Sequence, residues 1–123
     1  MKKLVTISLI CLLWSGLSCA EESSTGYTKS PMIKPGKSYE ACMKLSPGDK
    51  LYYEFTSSAD LRFNIHYHEG EEVLYPVPVI LASSEKSVFI PKSRNQYCLM
   101  WNNPGKEAVE LKLQYRKQDD NDR

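Results

Sequence analysis

The chain has 123 residues, with 16 Lys and Arg against 15 Asp and Glu, for a formal net charge of +1. No basic excess points to nucleic acid, and the length allows one domain once an export segment is set aside. Eight tyrosines, seven prolines and six glycines are the composition of a small all-β domain punctuated by turns.

Met1-Lys2-Lys3 supplies a positive start, and Leu4 to Trp14 is apolar apart from Thr6 and Ser8. That run is shorter than the ~20 apolar residues a membrane-spanning helix needs. The small residues Ser15, Gly16, Ser18, Cys19 and Ala20 follow. Together these predict a signal peptide over residues 1–20. Ser18-Cys19-Ala20 suits cleavage after Ala20. Gly16-Leu17-Ser18-Cys19 resembles a bacterial lipobox, with cleavage before Cys19 and lipid on its thiol, although Gly16 replaces the usual large aliphatic residue. Lipid at Cys19 is the only membrane contact expected, and the product is read as periplasmic or anchored to the outer membrane. Loss of residues 1–20 leaves 14 basic against 15 acidic residues, a net charge of −1.

Residues 21–37 are rich in Ser, Thr, Gly, Pro and Lys and read as a flexible tether. A β-sandwich domain is expected over 38–116, and a frayed polar tail over 117–123. From Ser38 the pattern has period two. Ala41, Met43 and Leu45 form the first apolar face, ended by a type II turn at Ser46-Pro47-Gly48-Asp49. Leu51, Tyr53 and Phe55 form the next, with a turn expected at Ser57-Ser58-Ala59-Asp60. Leu61, Phe63, Ile65 and Tyr67 then alternate with Arg62, Asn64, His66 and His68. Glu69-Gly70-Glu71 turns the chain into Val73, Tyr75, Val77 and Val79, where Pro76 and Pro78 demand an edge strand or a crossover. Val88-Phe89-Ile90, Gln96–Trp101 and Val109–Tyr115 complete the set. The alternation puts Tyr53, Tyr67, Tyr75, Tyr97 and Trp101 inside and Tyr52 outside. The expected fold is an antiparallel β-sandwich of about 7–8 short strands.

Cys11 and Cys19 belong to the export segment, which leaves Cys42 and Cys98 as a disulfide in an oxidising compartment. The bridge closes roughly 57 residues and is worth about 4 kcal/mol in the chain-entropy treatment.

Three stretches resemble the GOLD (Golgi dynamics) domain of secretory cargo receptors. They are Tyr39-Glu40-Ala41-Cys42-Met43, the strand Leu61–His68 with its Glu69-Gly70 turn, and Tyr97-Cys98-Leu99-Met100-Trp101-Asn102-Asn103. The resemblance covers about residues 38–115. It implies a β-sandwich with the two equivalent cysteines bridged, and a non-enzymatic domain that binds protein or lipid. The chain departs from the receptors in its bacterial-looking export signal and in lacking their coiled coil and C-terminal span. Leu45-Ser46-Pro47-Gly48-Asp49 and the strand after it also resemble bacterial pre-peptidase C-terminal domains, another exported β-sandwich class.

His66 and His68 are the only histidines. Positions i and i+2 on a strand share a face, so the two rings can share one ion. The apolar residues take the opposite face, so both histidines are expected outward, beside Asn64 and Arg62. Met100 lies on the same face as Cys98, and a His66–His68–Met100 set would suit copper more than zinc. Against this, two ligands make a weak site and Arg62 opposes a cation. Asn64, His66, His68 and Glu69 are the matching candidates for a partner surface. No Gly-rich phosphate loop is present, and Ser57, Ser58, Ser83 and Ser84 lie outside any nucleophile elbow. No catalytic residue and no required cofactor are assigned. The expectation is a non-enzymatic cell-envelope module that binds a protein or small ligand, with metal binding at the histidine pair as the alternative.

Overall fold

A computed structural model describes residues 26–120. The expected signal peptide with Cys19, residues 21–25 and residues 121–123 lie outside the described residues. Among the described residues there are seven strands: β1 (Gly26–Lys29), β2 (Met32–Ile33), β3 (Ser38–Leu45), β4 (Lys50–Glu69), β5 (Glu72–Phe89), β6 (Asn95–Asn102) and β7 (Val109–Gln118). Every pairing is antiparallel. The all-β antiparallel class with one disulfide is therefore as expected, and Cys42 and Cys98 are bridged.

The strands form one curled sheet built on a long hairpin. β4 pairs with β5 from Leu51 to Glu69 along one edge. Its other edge is shared: β7 takes Lys50–Ser57 and β6 takes Arg62–His66. The sheet thus forks into two arms. One carries β7 with β1 and β2; the other carries β6 with β3.

The inner faces of both arms supply the core. Leu51, Tyr53, Phe55, Leu61, Phe63 and Ile65 of β4 meet Leu99 and Trp101 of β6 and Leu111 and Leu113 of β7. All are the odd positions of their strands, as period-two alternation requires. Trp101 is fully buried, and its ring centroid lies 5.2 Å from Phe63 and 5.5 Å from Phe55.

The fork depends on a bulge. From Thr56 to Leu61 β4 advances five residues while its partner advances two, from Ser84 to Ala82. The extra residues bend β4 without ending it. The Ser58 hydroxyl accepts the Glu110 N–H at 3.0 Å, and the Ser57 hydroxyl donates to the Ala59 carbonyl at 2.7 Å. The turn expected at residues 57–60 is therefore a bend inside one 20-residue strand. The separate strands expected at Val73–Val79 and Val88–Ile90 are likewise one strand of 18 residues. The central strands are long, where short ones were expected.

Part of the expected tether is also structured. Gly26–Lys29 and Met32–Ile33 pair with β7, and Ile33 is buried in the core. The Pro31 carbonyl accepts the Leu111 N–H at 2.9 Å. These residues satisfy the outer edge of β7, a long-range demand that local composition does not express. At the other end β7 runs to Gln118, beyond the start of the expected tail, and Lys117 sits 2.9 Å from Asp119 and 3.7 Å from Asp49.

Two turns use glycine as their geometry requires. Gly48 has φ 93° after Pro47, matching a type II turn, and the Asp49 carboxylate accepts the Ser46 N–H at 2.7 Å. Gly70 has φ 61° in the two-residue loop closed by the Glu69–Glu72 pair. A single positive φ at the first loop position is the type II′ hairpin pattern. Asn103 secures the β6–β7 loop, donating to the carbonyls of Ile33 at 2.9 Å and Glu107 at 2.7 Å and accepting the Gly105 N–H at 2.9 Å.

Candidate functional site

The outer face of the β3–β6–β4 arm carries the polar side chains singled out in the sequence. Register places His66 opposite Cys98, and Cys98 opposite Cys42, so these three form one row across three strands. The next row is Asn64, Met100 and Glu40. Residues directly opposite one another on paired strands share a face, so all six lie on the outer side.

His66 and His68 do share this face, with ring centroids 5.4 Å apart and the rings nearly perpendicular. His68 is exposed. His66 is not: only 5% of it reaches solvent. Tyr75 covers it from β5 at 5.9 Å, and Glu40 reaches it from β3 with 3.7 Å between Oε1 and His66 Nε2. The expectation of two exposed histidines is corrected for His66, because neighbouring strands supply the cover. Tyr75, expected in the core, is 47% exposed. It lies where β4 and β5 lose register between Ile65 and Tyr67, which breaks the alternation that would have turned it inward. Asn64 is 1% exposed, so it is a buried support and offers no contact surface to a partner. Glu69 is exposed at the end of β4, and Met100 is half-buried in the row of Asn64 and Glu40.

Asn64 Oδ1 lies 2.7 Å from His66 Nδ1. A carbonyl oxygen can only accept, so Nδ1 donates to Asn64, and in the neutral ring Nε2 is left as a lone pair facing Glu40. Burial holds the His66 pKa below its usual 6.5, with Glu40 pulling it up and His68 pushing it down. The neutral ring is thus the favoured form.

Among the described residues, one group of three His, Cys, Asp or Glu ligand atoms lies within 4.8 Å of one another: Glu40, Cys42 and Cys98. Two of its members are joined in the disulfide. His66 and His68 have no third ligand of these types on that criterion. Glu40 was not singled out from the sequence. Its signal was available, because it stands two residues before Cys42 on the same strand face.

A second surface is the outer edge of β5. Among the described residues the strand pairs with β4 alone. No charged residue stands between Glu72 and Glu85. Val79, Ile80 and Leu81 are consecutive and exposed, Leu81 to 61%. A shallow cleft of about 820 Å³ lies on the other arm, lined by Tyr27, Tyr52, Tyr115, Arg116, Lys86 and Val88 among others. The Arg116 guanidinium sits 3.9 Å from the centre of the Tyr52 ring.

No protein-family model matches the chain, and no curated protein matches it. Solved structures do share the fold. One is Aeromonas hydrophila PliG, a periplasmic lysozyme inhibitor of g-type lysozyme, with a TM-score of 0.61 and 10% identity over 78% of this chain and 89% of that one. Another is the Yersinia pseudotuberculosis-derived mitogen, with a TM-score of 0.54 and 16% identity over 76% of this chain and 86% of that one. At these identities the likeness is one of fold.

Proposed function

We propose that this chain is a non-enzymatic binding module of the cell envelope that docks a protein partner along β5. The observation that carries the reading is the outer edge of β5, unpaired among the described residues, with its uncharged run from Val73 to Ser84. Natural edge strands are normally blunted by charge, proline or cover. Here Pro76 and Pro78 interrupt only the first part. Val79 to Ser84 keeps every N–H and exposes Val79, Ile80 and Leu81. An extended segment of a partner can add to such an edge by main-chain hydrogen bonds, with the apolar side chains setting preference. The fold shared with a periplasmic protein inhibitor and the formed disulfide support a protein partner met outside the cytoplasm. The GOLD-like strand pattern supports the same reading. Attachment to the outer membrane through lipid on Cys19 belongs to this proposal, and palmitate labelling lost in Cys19→Ala checks it.

The test is titration of the purified chain and its Leu81→Lys variant with proteins recovered from envelope extract and then purified. A g-type lysozyme belongs among the first, given the inhibitor of the same fold. Binding lost in the variant, with an unchanged circular dichroism spectrum, is the expected result. A purified partner that binds both proteins equally would remove β5 from the reading.

A second reading is copper or zinc binding at His66 and His68 with Met100, favoured by the 5.4 Å between the imidazoles. Calorimetry on the oxidised chain and on His68→Ala tests it. One-to-one binding that the variant loses supports it, and identical traces dismiss it.

A further inference from the structure

We propose that Glu40, Cys42, His66 and Cys98 form a redox-gated site for a thiophilic divalent cation, zinc in particular. The disulfide closes the site, and its reduction opens it.

The placement comes from register. His66, Cys98 and Cys42 form one row on one face of three adjacent strands, and Glu40 reaches over from the next row. The Glu40 carboxylate and both sulfurs already lie within 4.8 Å of one another. The Glu40 carboxylate also stands 3.7 Å from His66 Nε2, tying the imidazole to the same group.

The second argument concerns the protons. Nδ1 of His66 lies 2.7 Å from Asn64 Oδ1, so in the neutral ring Nε2 is the lone pair. It faces a carboxylate oxygen, also a Lewis base. Two bases facing each other across 3.7 Å hold no proton between them while the ring is neutral. A cation satisfies both at once. Zinc bonds of about 2.0–2.1 Å to nitrogen and oxygen at a tetrahedral angle place those ligands roughly 3.4 Å apart. That pair would close by a few tenths of an ångström, while the imidazole, which lies outside the Glu40–Cys42–Cys98 group, must also swing toward the sulfurs. Asn64, itself buried, is the outer partner that fixes the tautomer, as such ligands generally require.

The third argument concerns the sulfurs. Once separated they would sit about 3.8 Å apart at zinc–sulfur bonds of ~2.3 Å. Two thiolates, an imidazole and a carboxylate complete a closed four-ligand set that selects zinc over harder ions. Cys42 is exposed and Cys98 is buried. A thiolate of a dithiol reductant therefore attacks Cys42 Sγ, the protein S–S bond breaks, and Cys98 leaves as thiolate. The second thiol of the reductant resolves the mixed disulfide, so the reductant closes its own disulfide and two electrons pass to the protein. Zinc then displaces the protons of the two thiols. This set shares only His66 with the copper reading, and it leaves His68 and Met100 out.

The test uses the full mature chain, reduced with a phosphine that is then removed anaerobically, beside the oxidised chain. Cobalt serves as the optical probe and zinc as the competitor. The reduced chain should bind one cobalt with intense tetrahedral visible bands and a thiolate charge-transfer band, both lost on adding zinc. The oxidised chain should show neither. His66→Ala and Glu40→Gln should each weaken zinc binding tenfold or more. At a hundredfold excess over Kd, zinc should raise the melting temperature of the reduced chain by roughly 10 °C or more. If reduction alone unfolds the chain, zinc must restore its near-ultraviolet circular dichroism. Equal binding by the two redox forms, indifference to both His66→Ala and Glu40→Gln, or failure of zinc to stabilise or refold the reduced chain would each overturn the site.

Discussion

Replacing both Cys42 and Cys98 by alanine should lower stability by about 4 kcal/mol. The two residues are 56 apart in sequence. Closing a loop of about 57 residues removes roughly 14 cal/mol/K from the unfolded chain, or about 4 kcal/mol at 25 °C. Little of the loss should come from packing. The bridge lies on the outer face of the β3–β6 pair, away from the core formed by Ala41, Leu99 and Trp101. The assay is urea unfolding followed by the fluorescence of buried Trp101 and by far-ultraviolet circular dichroism. The midpoint should fall and the m-value should rise, because the unbridged denatured chain exposes more surface. For a domain of this size each kcal/mol moves the melting temperature by about 4–8 °C, so a fall of roughly 15–30 °C is expected. A loss below about 1 kcal/mol in a still-folded variant would refute the reasoning. It would mean that the denatured chain already holds β3 against β6 without the cross-link.

Asn103→Ala should cost about 2–3 kcal/mol in urea unfolding, since three hydrogen bonds of 2.7–2.9 Å disappear and the Ile33 carbonyl is left without its side-chain donor. Gly48→Ala should cost more than about 1 kcal/mol, because φ is 93° and an added Cβ would lie 2.6 Å from the Asp120 side chain. A thermal melt matching wild type would show that the turn relaxes freely. Burial raises the Tyr53 phenol above its usual 10.0, a Ser87 hydrogen bond opposes this, and Glu85 adds to it. The folded state therefore holds the Tyr53 proton more tightly than the unfolded state does. That stability is fully present below pH 10 and is lost as pH rises through the folded pKa. Urea midpoints at pH 8 and 11 should show a smaller loss in Tyr53→Phe than in wild type, and parallel losses would count against it.

The parts legible in the sequence are those governed by neighbours along the chain. Leu51, Tyr53 and Phe55, and then Leu61, Phe63 and Ile65, read as apolar strand faces and line the core. The Pro47-Gly48 and Gly70 turns carry their backbone chemistry in their own residues. The parts that were not legible depend on residues distant in sequence. Ser57 to Asp60 has turn composition, yet Ser58 bonds to Glu110 and the strand continues. Met32 and Ile33 look like tether until the edge of β7 is there to receive them. The pairing of Cys42 with Cys98 could be read because Cys11 and Cys19 fall in the expected export segment and leave these two. The burial of His66 could not, since Tyr75 and Glu40 arrive from separate strands.

The shared edge of β4 has a consequence for how the chain reaches its fold. β6 and β7 compete for the same side of one strand, and both carry alternating apolar residues able to pair there. A uniform strand would let either slide into the other's place, a kinetic trap in a topology already rich in distant pairings. The bulge between Thr56 and Leu61 breaks that edge into two addresses of different register. It lets the hairpin zip early, within the microseconds typical of hairpins, and still leaves each late-arriving strand one place to stop.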